Sequence, residues 1–198
     1  MELFKTLGAV LFSAILVDNF VLAKFMGICP FLGVSKNLKP AVGMSVAVTF
    51  VMLMATAVTH PIYSYVLKPN GLEYLDTLTF ILVIAAFVQL VEMVLGRYLP
   101  SLHKTLGVYL PLITTNCAIL GVTLLNIKLE YNYITALVHS VGAGLGFMLA
   151  MVLFAGVREK CEGTDIPKAF AGVPITLVSA AILALSFLGF GGMTDIFL

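Results

Sequence analysis

The feature that most constrains this 198-residue chain is its succession of long apolar runs. Hydrophobic residues make up 61% of the sequence and charged residues only 11%, whereas a soluble domain carries about 25% charge. So few charged side chains would not keep a folded surface in water, and we therefore expect an integral membrane protein. The apolar runs are continuous rather than alternating, which disfavours a β-barrel.

Six apolar blocks, each long enough to cross a hydrocarbon core of about 30 Å, are separated by short polar segments. They cover residues 3–34, 41–67, 77–95, 106–127, 133–157 and 172–191. We therefore predict an all-α integral membrane protein with six transmembrane helices in a single transmembrane domain over 1–198. The apolar start of the chain resembles a signal peptide but lacks a clear cleavage site, so we expect it to be retained.

Lysine and arginine are distributed unequally between the two sides of the predicted spans, and this bias sets the orientation. One side receives three basic residues: Lys5, Lys68 and Lys128. The other side receives seven: Lys36, Lys39, Arg97, Lys104, Arg158, Lys160 and Lys168. The second side is expected to be cytoplasmic, which places both termini outside. The net charge of +1 and the lack of a basic patch give no indication of a nucleic acid partner.

Two similar stretches, "CPFLGVS" from Cys29 and "CAILGVT" from Cys117, lie 88 positions apart. Three predicted spans separate them, so the second copy would be inverted in the membrane relative to the first. The chain has only three cysteines, which makes the shared cysteine the strongest part of the match. We therefore predict an inverted 3+3 repeat, with halves at about 1–95 and 96–198.

Both cysteine elements contain residues that interrupt helices. Gly27 and Pro30 flank Cys29, whereas Pro111 and "TTN" precede Cys117. Proline removes a backbone donor and disfavours helix at the residue before it, and Thr and Asn side chains can bond the backbone groups exposed by a break. Irregular backbone at membrane depth is tolerated where protein buries it or where it lines a cavity. We therefore predict broken helices around Cys29 and Cys117 that face the protein interior.

The chemistry of Cys29 and Cys117 leaves several roles open. Packing as small core residues, a disulfide and a soft-metal site are all consistent with thiols in apolar sequence. A structural zinc site takes four ligands, and neither His60 nor His139 has metal-ligand spacing to a cysteine. An iron–sulfur cluster with four cysteine ligands would need two thiolates from a second chain. Cys161 lies in the charged segment "REKCEGTD" outside the repeat and is interpreted as a free thiol.

Other features of the apolar blocks have both functional and structural interpretations. Asp18, Lys24 and Glu92 are candidates for an ion path, because charges inside a membrane are commonly functional. Capping by Asp18, and snorkelling or pairing by Lys24 and Glu92, are the structural alternatives. The sequence "GAGLG" at Gly142–Gly146 lacks the strand and helix that flank a nucleotide-binding loop, so we expect it to allow close helix packing.

Four segments resemble a family of membrane subunits that includes the A-type subunit of the Rnf (Rsx) ion-translocating electron-transport complex. The family also includes the E-type subunit of the sodium-pumping NADH:quinone oxidoreductase. The segments are "NFVLAKFMGICPFLGVSK", "TFILVIAAFVQLVEMV", "LPLITTNCAILGVTLLNI" and "MVLFAGVRE". The resemblance covers essentially the whole chain, and it is closer to the Rnf branch through "ITTNCAILGV" and "NFVLAKF".

The resemblance implies a component of a ferredoxin:NAD oxidoreductase complex in a bacterial or archaeal cytoplasmic (inner) membrane. Electron transfer in that complex is coupled to Na⁺ or H⁺ translocation, and this chain alone would hold no complete active site and no catalytic residue. Cys29 and Cys117, with two cysteines of the homologous E-type Rnf subunit, would hold an intramembrane [2Fe–2S] cluster. Other Rnf subunits would carry flavins and further iron–sulfur clusters. The alternative is an inverted-repeat secondary transporter whose cysteines only pack.

Overall fold

A computed structural model of the chain describes residues 2–98, 110–163, 167 and 172–190. Within these residues the secondary structure is helical and includes no strand, as predicted. The α-helices are α1 (Glu2–Phe12), α2 (Ile28–Val34), α3 (Leu38–Ile62), α4 (Asp76–Tyr98), α5 (Leu110–Thr114), α6 (Cys117–Lys128), α7 (Tyr133–Glu162) and α8 (Val173–Leu188). Turns of π-helix extend α1 through Ser13–Val17 and α3 through Tyr63–Leu67.

In the part of the chain that the structure describes, two helical stretches are long and apolar enough to cross a membrane. They are Leu38–Leu67, with 30 residues, and Tyr133–Cys161, with 29 residues. At a rise of about 1.5 Å per residue, each is longer than a hydrocarbon core of about 30 Å. Shorter apolar helices occupy the other four predicted blocks: Lys5–Val17, Asp76–Leu90, Leu112–Lys128 and Val173–Leu188. The six transmembrane spans therefore remain a prediction. Among the described residues, two of the predicted spans have the full length.

Helices α3 and α7 pack against each other at the centre of the fold. Gly144 of α7 lies so close to Thr49 of α3 that a Cβ atom added to the glycine would be 2.5 Å from the threonine Cγ2 atom. Towards the N-terminal helix, Gly142 and Gly146 of α7 both lie against Ala14. The small residues of the GAGLG sequence therefore bring α7 close to two neighbours, which confirms their predicted packing role.

Pro61 disturbs the hydrogen bonding near the end of α3. It has no N–H to donate to the carbonyl of Ala57, four residues earlier. The hydroxyl of Tyr133 donates to that carbonyl at 3.5 Å, and the ring of Tyr133 packs edge-on against His60 with 5.7 Å between ring centroids. These contacts connect the end of α3 to the start of α7.

The core around α3 and α7 is apolar, and many of its side chains are fully buried. Its fully buried members include large side chains from both helices and one from α6: Met44, Met52, Phe147, Met151, Phe154 and Ile119. Because both long helices bury one face against the other elements, they fix the positions of the shorter helices that carry the cysteines.

Candidate functional site

The segment between Val17 and Ile28, which leads to Cys29, is not helical. The first helical stretch ends at Val17, and α2 begins at Ile28, one residue before the cysteine. Gly27 precedes α2 in a left-handed backbone conformation, with a φ of 85°. Phe25 also has a positive φ, of 54°, which is uncommon for a bulky residue. The chain therefore turns sharply before α2 and places Cys29 in the first turn of that helix.

Asn19 fixes the start of this non-helical segment. Its fully buried side chain accepts at Oδ1 from the backbone N–H groups of Val21, at 3.1 Å, and Leu22, at 3.4 Å. Its Nδ2 donates to the carbonyls of Ile15, at 3.1 Å, and Gly146, at 2.8 Å. Both ends of the amide are therefore satisfied, and backbone groups that leave the helical pattern find partners inside the protein.

Arg158 of α7 anchors the other end of α2. Its guanidinium donates to the carbonyl of Leu32 at 2.8 Å and to the hydroxyl of Ser35 at 2.9 Å. A cation is favourable here because the last carbonyls of a helix lack intrahelical partners. The ring of Phe31 also stacks on Phe154, with 4.1 Å between centroids. Polar and aromatic contacts together hold α2 on α7.

The second cysteine, Cys117, is the first residue of α6. Thr115 and Asn116 separate α6 from α5. The side chain of Asn116 is 4% exposed, and its Oδ1 accepts from the backbone N–H of Ala118 at 3.0 Å. Asn116 is therefore the N-cap of α6. The contact confirms the predicted role of this asparagine in satisfying backbone groups beside the cysteine.

The structure brings the two cysteine elements into contact. The backbone N–H of Gly27 donates to the Sγ atom of Cys117 at 2.9 Å. Cys29 is two residues from Gly27, a length of chain that spans at most about 7 Å between Cα atoms. There is little space around Gly27. A Cβ atom added to it would lie 3.0 Å from Cε2 of Phe147 and 3.2 Å from Cβ of Ala118.

Both thiols of the repeated elements lie at the surface of the chain. Cys29 and Cys117 are free and exposed, and Cys161 is free and half-buried. The prediction that the cysteine elements face the interior is correct for Gly27 and Asn116, which are buried, but not for the residues Cys29 and Cys117, which are exposed in this chain. The reason is that successive side chains of a helix point about 100° apart, so the residues of α2 and α6 that carry the thiols need not share the buried face of their helices. Neither Cys29 nor Cys117 is therefore a small residue packed in the core of this chain.

The described residues contain no group of three or more His, Cys, Asp or Glu side chains that could hold a metal ion. A metal at Cys29 and Cys117 would therefore take further ligands from outside these residues. Thiolate ligands favour zinc, copper(I) and iron–sulfur clusters over harder metals.

Asp18 and Lys24 of the first apolar block pair with each other. The Nζ atom of Lys24 lies 3.5 Å from Oδ1 of Asp18 and 5.1 Å from the centroid of the Phe20 ring. The hydroxyl of Ser13 donates to the other carboxylate oxygen of Asp18 at 3.2 Å. Because the Asp18 side chain is 53% exposed, this pair contributes little to stability in water. Glu92 is exposed on α4. Transport roles for these three charges remain predictions.

A buried polar cluster that sequence reasoning missed joins α3, α6 and α7. Nδ1 of His139 lies 2.6 Å from Oδ1 of Asn126, and Nδ2 of Asn126 donates to the Ser140 hydroxyl at 3.2 Å. The hydroxyls of Ser140 and Thr56 are 2.7 Å apart. All four side chains are buried, so their hydrogen bonds are made away from water and connect three helices. The sequence signal that could have indicated this cluster is the presence of polar residues inside three different apolar blocks.

Tyr131 lies over this cluster in the loop between α6 and α7. Its carbonyl is 2.9 Å from Nε2 of His60, and its ring packs edge-on against His139 with 5.5 Å between centroids. Burial, with a smaller contribution from the negative charge of Asp18, raises the pKa of the Tyr131 phenol above its ordinary value of 10.0. A phenol with the ordinary pKa is already neutral at physiological pH, and the raised pKa keeps Tyr131 neutral to higher pH.

A comparison with known families decides the class of this chain. The profile of a family described as "Rnf-Nqr subunit, membrane protein" matches residues 7–194. The chain belongs to the Rnf-Nqr family. The match includes both cysteine elements of the Rnf-Nqr chain and the residues that bury and cap them.

Relatives of this Rnf-Nqr chain are similar over almost their whole length. The chain is 58% identical to the A-type subunit of the "Na(+)-translocating ferredoxin:NAD(+) oxidoreductase complex" of Acetobacterium woodii, with 95% of this chain and 98% of the relative covered. It is 51% identical to the A-type subunit of the "Ion-translocating oxidoreductase complex" of Syntrophotalea carbinolica, covering 96% and 98%. The identity is 48% to the corresponding protein of Vibrio cholerae, which has the same name, covering 94% and 96%. These relatives confirm the predicted resemblance to the A-type Rnf subunit.

Proposed function

We propose that this chain is the A-type membrane subunit of an ion-translocating ferredoxin:NAD oxidoreductase complex. The similarity to the Acetobacterium woodii protein, at 58% identity over 98% of its length, supports this assignment. In such a complex the chain takes part in electron transfer coupled to Na⁺ or H⁺ movement. Other subunits of the complex hold the flavins and further iron–sulfur clusters, and no residue of this chain is assigned a catalytic role.

Cys29 and Cys117 are the proposed ligands, from this chain, of an intramembrane [2Fe–2S] cluster shared with the homologous E-type Rnf subunit. The observation that carries this proposal is the hydrogen bond from Gly27 to the Cys117 sulfur, which joins the two cysteine elements. Two thiolates supply half of the four ligands, and their exposure leaves them open to a partner chain. When bound, the cluster accepts and releases one electron.

The residues around the thiols suit a site of anionic sulfur. Gly27 already donates its N–H to sulfur, and Cys117 lies in the first turn of the 12-residue α6, where N–H groups and the helix dipole favour negative charge. Nδ2 of Asn116 is a further buried donor with no acceptor among the described residues. Phe147 packs beneath Gly27 and keeps water from that side. Such donors and the exclusion of water tune the potential of an iron–sulfur site.

The proposed membrane architecture is a single domain over 1–198 with six transmembrane helices in an inverted 3+3 repeat. The long helices α3 and α7 support it, because they are the second and fifth predicted spans and so would be equivalent in the repeat. The helix starts at Ile28 and Cys117 support broken helices, because they fall at nearly equivalent positions of the two halves, about 1–95 and 96–198.

A reporter at the C-terminus is expected to lie outside the cytoplasm, because the predicted loops richer in Lys and Arg are retained on the cytoplasmic side. Alkaline phosphatase fused there should be active, and green fluorescent protein should be dark. The matched control is a fusion after Lys36, in a loop predicted to be cytoplasmic, where the two reporters should behave in the opposite way. A fluorescent C-terminal fusion would reverse the proposed orientation in the cytoplasmic (inner) membrane.

Iron analysis tests the proposed cluster. The chain purified together with its homologous membrane partner should contain about two iron atoms and two acid-labile sulfides per pair, and should give an EPR signal after reduction. A pair that assembles without iron or sulfide would overturn the cluster proposal and favour the secondary transporter. This measurement is independent of the coupling ion, which needs transport assays.

A further inference from the structure

Asn116 carries a buried hydrogen-bond donor that the described residues leave unused. The residue is 4% exposed, and no described residue accepts a hydrogen bond from its Nδ2 atom. A buried amide without an acceptor loses its bonds to water and gains nothing in return, so folded proteins rarely contain one. The donor therefore indicates an acceptor other than the described residues in their present arrangement.

The other two buried asparagines in the described part of the chain show how unusual this is. Asn19 uses Nδ2 for two carbonyls, at 3.1 and 2.8 Å. Asn126 uses Nδ2 for a hydroxyl at 3.2 Å and a carbonyl at 3.4 Å. Asn116 instead has a bonded Oδ1 and an idle Nδ2. Reversing its amide would place a donor against the Ala118 N–H and remove the N-cap of α6.

The Asn116 amide that carries the unused donor lies beside Gly27, which bonds the Cys117 thiol. Oδ1 of Asn116 would be 3.4 Å from a Cβ atom added to Gly27, and the N–H of Gly27 donates to Sγ of Cys117 at 2.9 Å. The amide, the glycine and the sulfur thus meet at the N-terminus of α6. Ile28 occupies the position that corresponds to Asn116 in the first half of the repeat, so only the second half supplies this side-chain donor.

We propose that Asn116 is a hydrogen-bond donor to the cluster site. Its Nδ2 donates to a sulfur atom of the cluster or of its cysteine ligands. This inference rests on the proposed function. Sulfur in such a site is an anionic acceptor, and it becomes more negative on reduction. A hydrogen bond to it therefore stabilises the reduced state more than the oxidised state, and Asn116 raises the reduction potential of the site.

Asn116→Ser in the complete complex tests this role. Serine retains an acceptor for the Ala118 N–H, so the N-cap of α6 is kept. Its hydroxyl can still donate, but its shorter side chain does not reach the position of the Asn116 Nδ2 atom. The EPR signal of this cluster is identified as the one that Cys117→Ser abolishes, and is followed through a redox titration. At a fixed potential, the ratio of reduced to oxidised cluster should fall about tenfold. For a one-electron couple, that is a shift of about 59 mV to more negative potential.

The matched control is Thr123→Ala. Thr123 is buried in the same helix, but its hydroxyl donates to the carbonyl of Leu120 within that helix at 2.8 Å. Removing this hydroxyl should leave the midpoint potential of the cluster unchanged. An equal shift in the control and in Asn116→Ser would mean that any loss of a buried polar group in α6 moves the potential, and would overturn the specific role of Asn116.

A second measurement uses the unaltered complex, in case Asn116→Ser fails to assemble. Asparagine labelled with the heavy nitrogen isotope in its side-chain amide is incorporated, and pulsed EPR measures the coupling between that nitrogen and the reduced cluster. A coupling in the unaltered complex is expected. Its absence, or an unchanged midpoint in Asn116→Ser with the cluster present, would overturn the role of Asn116 and leave the cluster proposal intact. A complex without any Cys117-dependent EPR signal would instead overturn the proposed cluster itself.

Discussion

Replacing Cys117 with serine is expected to abolish the EPR signal of the proposed intramembrane cluster and to remove about two iron atoms per complex. A serine oxygen is a much harder ligand than a thiolate, and it holds iron–sulfur clusters poorly. The fold around it should survive, because the serine hydroxyl can still accept from the Gly27 N–H that now bonds sulfur at 2.9 Å. Ferredoxin-dependent reduction of NAD should fall to background, while size-exclusion chromatography shows an intact complex.

Two further cysteine variants, one expected to lose the cluster and one expected to keep it, complete this test. Cys29→Ser should give the same loss, because the two thiols are proposed to bind the same cluster. Cys161→Ser should change neither iron content nor electron transfer, because that half-buried sulfur lies 3.9 Å from the Ser179 hydroxyl, near the end of α7. Full iron content in the Cys117→Ser complex would contradict the assignment. So would loss of the cluster in Cys161→Ser.

The features that were predictable from sequence are those set by local chemistry. Continuous apolar blocks required helices in a membrane protein. The small residues of "GAGLG" predicted close helix packing, which Gly142 and Gly146 make with Ala14. Asn116 before a helix start predicted a bond to exposed backbone groups, which it makes with Ala118. Each of these inferences needs only a few neighbouring residues and a known preference of their side chains.

The features that were not predictable depend on which face of a helix is buried. In a soluble helix, polar residues mark the outer face, but a membrane helix is apolar on its protein and lipid sides alike. The sequence therefore contains no indication that the Cys29 and Cys117 thiols are exposed while Gly27 beside them is buried. For the same reason, the sequence did not indicate the contact between His139 and Asn126, which lie on different helices.

Long-range contacts add a second reason. The hydrogen bond between Gly27 and Cys117 joins positions 90 residues apart, and Arg158 bonds to Leu32 across 126 positions. The repeat suggested that the two cysteine elements could meet, but it did not show that the backbone of one element would bond the sulfur of the other. Such a contact follows from the packing of α3 against α7, which positions both elements.

Gly27→Ala is expected to destabilise the complex by about 2–4 kcal/mol and to lower its cluster content. The first cause is the backbone, since Gly27 has a φ of 85°, which L-residues with a Cβ atom rarely adopt. The second is space, since the new methyl group would lie 3.0 Å from Phe147 Cε2 and 3.2 Å from Ala118 Cβ. Relief of either strain moves the Gly27 N–H away from the Cys117 sulfur. Thermal unfolding in detergent and iron analysis measure the two effects.

Gly43→Ala is the matched control for this substitution. Gly43 lies in α3, and an added Cβ atom would meet nothing within 4 Å. Since alanine favours helix over glycine by about 1 kcal/mol, this variant should be as stable as the unaltered complex or more so. A Gly27→Ala complex that matched the Gly43→Ala complex in both stability and iron content would contradict the left-handed turn at Gly27. It would equally contradict the requirement for close contact between the two cysteine elements, because that contact leaves no space for the methyl group.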